Sequence, residues 1–555
     1  MTVNESVSAG AGVFTPVPAE STSAPSSQTS PHEYWEAPLA PDLAYESEPL
    51  QIPGSKSQTN RALLLASLSN SPSRIVNPLW ARDTLLMKAG LEQLGAKFTE
   101  VSANVIEVTP LSLSKLTQPV TIDCGLAGTV MRFLPVVAAA LATPVTFTAD
   151  PQANQRPLQP LLAVLTSLGA EVKYHGEATF PFTIRGPLKH FPTEIEVDAT
   201  SSSQFFSALL LVLPWAYPAG RLVTIRSTLP PSTPHILMSV AELAAYGIAA
   251  SLEPLPRESA PETAPQLSLA SALQPTQAAA SKTLAVRLQT ACPVPVQPTR
   301  RIEVDTTTAM VFIAAAAFTK APVRIANWPK ESAQPGAGFL QILRQLGVVT
   351  YFEEAADGTT TLLALPADLT CTPPEKPFDL SDFGELTPVA VGLATQAPVP
   401  VTFTGIKHLR GHETDRLAAL ATELAKLGIP CQVKDDSLTV FPRESEKHPQ
   451  KSKLAPAVSA PETHNLPVLL HTYHDHRLAM LAALLGLKYP ILVENVATVA
   501  KTLPNFVQLW ESLILGKPTP ATARGAIANT YRVAPPENCH ETPVRTDKGG
   551  SVEPA

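Results

Sequence analysis

The chain has 555 residues, 45% of them hydrophobic and 16% charged, which excludes a disordered protein and leaves room for more than one core. With 48 acidic and 41 basic side chains the net charge is -7, so no general cationic field exists for nucleic acid or a membrane surface. The five cysteines are scattered, with no C-x-x-C spacing, which points away from a disulfide framework or a zinc site and towards a reducing cytoplasm.

The stretch to about Ser30 is rich in Ser, Thr, Pro and Glu and has neither a basic start nor an apolar run. Residues 1–44 are therefore read as a disordered extension, and deleting residues 1 to about 40 is expected to leave function intact. Six helices then follow that open with Ser, Thr, Gly, Asp or His and run into Ala and Leu. They are SKSQTNRALLLASL from Ser55, GTVMRFLPVVAAALA from Gly128, SSSQFFSALLLVLP from Ser201, DTTTAMVFIAAAAF from Asp305, DFGELTPVAVGLAT from Asp382 and HDHRLAMLAALLGL from His474. Five of them are followed by a second helical pattern that closes on a glycine, at Gly95, Gly169, Gly247, Gly347 and Gly428, where a left-handed cap ends a helix.

Strand-like segments lie between: PVTFTAD, FPFTIRG, RLVTIRS, PVRIAN, PVTFTG and PILVEN. The glycines recur at a nearly constant interval, stretched only where Pro, Ala and Ser accumulate. This pattern predicts an α/β (α+β) fold of six βαβαββ repeats, three in each of two lobes. A first lobe is expected over residues 54–302, with a Pro/Ala-rich insertion at about 254–283. The second is expected over 45–53 plus 303–516, with an insertion at about 444–465, followed by a flexible tail at 517–555. The longest apolar runs fall short of the ~20 residues a membrane helix needs.

Polar clusters sit at the helix starts, where unpaired N–H groups and the helix dipole favour anions. They are Pro53-Gly54-Ser55-Lys56-Ser57 with Arg61, Gly125-Leu126-Ala127-Gly128-Thr129 with Arg132, Gln155-Arg156-Pro157, Ser201-Ser202-Ser203-Gln204, Arg410 to Arg416, and His474 to Arg477. Lys501 precedes the final helical segment. Ser and Thr there are ordinary caps taken singly. Cations are not, because capping needs none and the dipole disfavours them, so multiply charged anions are the natural partners.

These motifs, with QRPLQPLL, HETDRLAALATEL, YHDHRLAM and AKTLPNF, resemble those of the enolpyruvyl transferase family from about Gln51 to Leu513. The resemblance implies a two-lobed fold with the site between the lobes. It also implies an enzyme that moves the enolpyruvyl group of phosphoenolpyruvate to the 5-hydroxyl of shikimate-3-phosphate, releasing phosphate on the route to chorismate and aromatic amino acids. By the same resemblance Lys56, Glu385 and Glu413 are catalytic. Shikimate-3-phosphate falls to Lys56, Ser57, Arg61, Ser202, Ser203, Gln204, Ser232, Glu385 and His412. Phosphoenolpyruvate falls to Lys56, Gly128, Thr129, Arg156, Gln204, Arg416, Arg477 and Lys501.

The chain departs from the common family form at Leu126 (Asn), His412 (Lys), Glu385 (Asp) and near Ser232, where His235 stands in for a Tyr. No cofactor or metal is expected. Although His474 and His476 bracket Asp475, no matching carboxylate set is apparent. Small-molecule substrates are the expected partners of a cytoplasmic monomer, without nucleic acid or membrane. A sibling enzyme acting on UDP-N-acetylglucosamine usually carries a Lys-Asn pair and a loop Cys where this chain has Lys56-Ser57 and no Cys.

Overall fold

Short Val-, Thr- and Phe-rich segments with alternating burial, such as Val145–Thr148 and Val401–Thr404, form strands because branched and aromatic side chains fit a pleated, half-buried surface. The computed structural model describes residues 34–40, 48–102, 104–111, 116–177, 179–228, 232–253, 283–292, 294–367, 376–411, 413–443 and 466–516. Among these, helices come in six pairs: Lys56–Leu68 with Arg82–Gln93, Gly128–Ala139 with Gln159–Ser167, Ser203–Ala216 with Thr233–Ala245, Thr306–Thr319 with Pro335–Gln345, Thr387–Ala394 with Arg416–Lys426, and His476–Gly486 with Phe506–Leu515. The five glycines read as caps all adopt positive φ, between 68° and 102°, and Gly516 ends the sixth pair at φ 63°.

Six sheets accompany the six pairs, and they share one plan. In one of them Val120–Asp123 runs parallel to Val145–Thr148, which pairs antiparallel with Phe182–Arg185, which in turn pairs antiparallel with Glu171–Tyr174. The other three four-stranded sheets repeat this order of one parallel and two antiparallel pairings. In the sheet of Val323–Ile325, Thr360–Pro366 and Val348–Glu354, a bridge from Leu50 parallel to Ile325 takes the place of the parallel strand.

The buried apolar side chains form two separate clusters. One gathers residues from Ala62 to Ile302, and the other joins Trp35, Ala37, Leu50 and Ile52 to residues from Val304 to Ile514. The opening helix of each pair is buried nearly all round, as in Thr306–Thr319, which explains its lack of a polar face. The chain passes between the clusters twice, side by side: the Ser55 N–H donates to the Glu303 carbonyl at 2.8 Å and the Asp305 N–H to that of Pro53 at 2.9 Å. A Cβ at Gly54 would lie 2.1 Å from the Asn77 carbonyl, so the crossing requires glycine.

The reading of residues 1–44 as an extension outside the fold is corrected at its end. Tyr34–Ala37 is a strand, antiparallel to Ile491–Glu494 in the last sheet, with Trp35 and Ala37 buried. The turn-like prolines that follow hid a four-residue strand too short to show an alternating pattern of its own. The expected insertion over most of 254–283, that over 444–465, and the tail at 517–555 lie outside the described residues.

Candidate active site

In the first lobe three helix starts converge. Lys56 is the first residue of its helix, capped by the Ser55 hydroxyl, and its main-chain N–H donates to Asp305 across the crossing at 3.2 Å. Its ammonium lies 3.1 Å from Asp83. Burial opposes the charge, but Asp83, Glu413 and Glu385 outweigh it and hold Lys56 above the ordinary lysine value, so it rests protonated. One turn on, the Asn60 amide donates to the Thr129 hydroxyl at 2.7 Å, fixing the Gly128 helix beside it.

Gly128 lies in a cradle. A Cβ there would meet Arg132 and Gln204 at 2.9 Å and Arg156 at 3.0 Å. Arg132 donates to the Gln204 side-chain oxygen at 2.8 Å and Arg156 to the Leu126 carbonyl at 2.8 Å. Both keep a buried Nε without a partner. Burial and then the neighbouring Arg156 push Arg132 well below the usual arginine range. These two adjacent guanidiniums donate to carbonyl and amide oxygens rather than to carboxylates, which leaves a patch of uncompensated positive charge.

The second lobe contributes carboxylates already bound to cations. Arg416, 1% exposed, grips Asp475 through Nε at 2.6 Å and Nη2 at 3.3 Å. Glu385, on the turn Gly384–Leu386, accepts from both Arg416 and Arg477 at 3.3 Å through the same oxygen. Glu413 takes Lys501 at 2.5 Å and His476 at 3.3 Å on one oxygen. Burial would raise its pKa, yet the hydrogen bond with His476 and the charges of Lys501 and Arg416 outweigh that and hold it well below the carboxylate range. Burial pushes His476 down to about 4, so its imidazole rests neutral.

The loop that carries these groups turns through Tyr473 and His474, both at positive φ, and the His474 carbonyl accepts from Lys501 at 3.0 Å. Asp475 caps the following helix at the Arg477 N–H. Donor atoms of Glu413, Asp475 and His476 lie within 4.8 Å of one another, but Arg416 and Lys501 already engage the two carboxylates.

The other expected residues are placed unevenly. Ser202 caps its helix through the Gln204 N–H at 3.3 Å, Ser203 is buried beside it, and the Gln204 oxygen faces Arg132 rather than opening outward. Ser57 follows Lys56 on the same helix start, half-buried. Ser232 adopts a left-handed conformation, with its hydroxyl 2.6 Å from His235 Nδ1. Arg61 is the most deeply placed of the expected shikimate-3-phosphate residues that the structure describes. At 1% exposure its guanidinium donates to Ser239, to the Ser57 and His235 carbonyls and to Ser207, stacks on Phe133, and is lowered to about 10 by burial. It ties three helices together. His412 lies outside the described residues. Arg132, Asp83 and Asp475 carry parts of the site that the motifs did not assign.

Six like units in two lobes, with cations and carboxylates meeting where the helix starts converge, define an enolpyruvyl transferase. Solved structures agree on the fold: EPSP synthase from Acinetobacter baumannii covers 87% of this chain and 98% of its own at a TM-score of 0.63 and 19% identity. The enolpyruvyl transferase NikO from Streptomyces tendae covers 87% and 98% at a TM-score of 0.55 and 16% identity. The family model of EPSP synthase (3-phosphoshikimate 1-carboxyvinyltransferase) matches residues 46–257 and 289–510. A 3-phosphoshikimate 1-carboxyvinyltransferase of Bifidobacterium longum (strain DJO10A) is 35% identical over 500 residues, which is 86% of this chain and 98% of that protein. The chain belongs to the EPSP synthase family. Among the described residues no helix is long and apolar enough to cross a membrane.

Proposed function

We propose that the chain transfers the enolpyruvyl group of phosphoenolpyruvate to the 5-hydroxyl of shikimate-3-phosphate and releases phosphate, in a cleft between a lobe at 54–302 and one at 45–53 plus 303–516, to which Tyr34–Ala37 is added. The observation that carries this reading is Lys56. An ammonium of the first lobe feels both Glu385 and Glu413 of the second, which are themselves bound to Arg416, Arg477 and Lys501. Both substrates carry a phosphate and a carboxylate, and unit charges ~4 Å apart repel by about 4 kcal/mol at an effective dielectric near 20. Convergent cations from two lobes offset that repulsion.

In this reading Gly128, Thr129, Arg156, Gln204, Arg416, Arg477 and Lys501 hold phosphoenolpyruvate, with Arg132 orienting Gln204. Lys56, Ser57, Arg61, Ser202, Ser203, Gln204, Ser232, Glu385 and His412 receive shikimate-3-phosphate, and Lys56 reaches phosphoenolpyruvate as well. Glu385 accepts the proton of the 5-hydroxyl as the hydroxyl oxygen attacks C2 of phosphoenolpyruvate, the carbon that bears the phosphate. A proton goes to the methylene, giving a tetrahedral adduct. The methyl then gives up a proton as the C–O bond to phosphate breaks, restoring the double bond.

Glu413 is the group beside the methylene, yet it rests ionised on Lys501 and His476. Phosphoenolpyruvate resolves this: its negative groups draw Lys501 and Arg416 away and add like charge nearby, both of which raise the Glu413 pKa and let it take up a proton. No step calls for a metal or cofactor. The partners are small molecules alone, and the enzyme is a cytoplasmic monomer without nucleic-acid or membrane contacts. Free Cys124, Cys292 and Cys431 suit that compartment. Phosphate release requiring both substrates tests the proposal. Equal turnover with UDP-N-acetylglucosamine, or none with shikimate-3-phosphate, refutes it.

A further inference from the structure

The helix Thr233–Ala245 belongs to the first core, yet its start is completed from the second. Ser232 is left-handed at φ 63° and its hydroxyl is turned to His235, so it does not cap the helix. The Thr233 N–H instead donates to a carboxylate oxygen of Asp382 at 3.0 Å, and the Ser232 hydroxyl reaches the Asp382 carbonyl at 3.5 Å. Asp382 is firmly held. Its neighbours Leu380 and Phe383 are fixed by main-chain bonds, Leu380 N–H to Thr404 and Phe383 N–H to Leu380, and Phe383 packs edge-on against Phe339 with centroids 5.7 Å apart. Three residues further on stands Glu385, which bridges Arg416 and Arg477. A carboxylate at a helix N-terminus is a favourable contact in itself, but here it comes from the opposite side of the cleft.

We propose that Asp382 is a positioning residue that ties the Ser232 loop of the first lobe to the Glu385 loop of the second, so that the residues facing shikimate-3-phosphate from both sides move as one unit. The inference rests on the function proposed above. Because Asp382 bonds to the Ser232 loop and not to the Gly128 cradle or Lys501, its removal acts first on shikimate-3-phosphate and reaches phosphoenolpyruvate only indirectly, through the Arg416 and Arg477 that Glu385 bridges.

The test is steady-state phosphate release by Asp382→Ala and Asp382→Asn, with small-angle scattering of the unliganded proteins. Asp382→Ala is expected to raise KM for shikimate-3-phosphate roughly tenfold, the scale of one lost charge-assisted hydrogen bond. KM for phosphoenolpyruvate should rise less, within about twofold, because the Gly128 cradle and Lys501 keep their own contacts. Asp382→Asn keeps an oxygen to accept from Thr233 and is expected to restore the wild-type KM. If Asp382→Ala does not fold, Asp382→Ser, too short to reach the Thr233 N–H, takes its place with the same expected shift. An unchanged KM for shikimate-3-phosphate overturns the proposal, as does equal impairment in the Asn variant or an equal rise in both KM values. If the wild type releases no phosphate at all, the functional reading fails. The tie is then judged by scattering alone, where a larger radius of gyration in the Ala variant supports it and an equal one overturns it.

Discussion

Removing the strand Tyr34–Ala37 perturbs the last sheet, and the structure gives the size of the effect. Trp35 is 5% exposed and meets Phe506 edge-on at 6.3 Å, at the end of an aromatic group that includes Trp510 and Phe312. Truncating a buried Trp to Ala typically costs about 3–5 kcal/mol. The backbone bonds of a four-residue pairing are largely offset by the entropy the freed segment regains, so the aromatic burial dominates.

At roughly 2–4 °C per kcal/mol for a lobe of this size, the second-lobe transition should fall by about 10 °C. Activity should fall with it, because Glu494, paired with Tyr34, accepts from the Thr472 N–H at 3.3 Å and from His471 at 3.1 Å and so steadies the loop leading to Asp475. The comparison is between chains beginning at residue 31 and at residue 41, with Trp35→Ala in the full chain, each followed by calorimetry and phosphate release. If the chain starting at 41 melts within a degree or two of the one starting at 31, the strand contributes nothing and the reasoning fails.

Glu413→Gln keeps the shape but not the transferable proton, so kcat should drop by roughly 10²- to 10⁴-fold with much smaller changes in binding; near-normal turnover with a lowered melting temperature would make Glu413 structural. Gly128→Ala places a methyl against Arg132, Gln204 and Arg156, and KM for phosphoenolpyruvate should rise by about tenfold, more than that for shikimate-3-phosphate. Because His476 is depressed to about 4 when folded, the unfolded chain binds the extra proton between about pH 6.5 and 4. Stability should therefore be complete above that window and fall by a few kcal/mol as pH drops through it, and urea midpoints for His476→Asn should lose this slope.

The repeat was legible because its physical cause is local. A helix that must stop and turn back needs a left-handed residue, and Gly95, Gly169, Gly247, Gly347 and Gly428 announce it. Cations at helix starts were legible for the same reason, since they contradict the dipole. What escaped was what only three dimensions bring together. Asp83, Asp475 and Asp382 look like ordinary helix-start or loop acids, and nothing in their neighbourhoods tells that one holds Lys56, one Arg416 and one the opposite lobe. Nor does the Lys56 motif announce the hydrogen bonds that Arg61 makes to Ser57, Ser207, Ser239 and His235 at 1% exposure.

The pairing of Tyr34–Ala37 with Ile491–Glu494 sets an order on synthesis. Of the described strands the earliest made is among the last to find its partner, while the buried residues from Ala62 to Ile302 form a core of their own whose completion does not wait for Ile491. Throughout that interval Trp35 has no cover, and the edge it will occupy does not yet exist. Such a long-range closure slows the final step and leaves an apolar strand open to other chains, so heat shock or fast expression should send this protein to chaperones through its second lobe rather than its first.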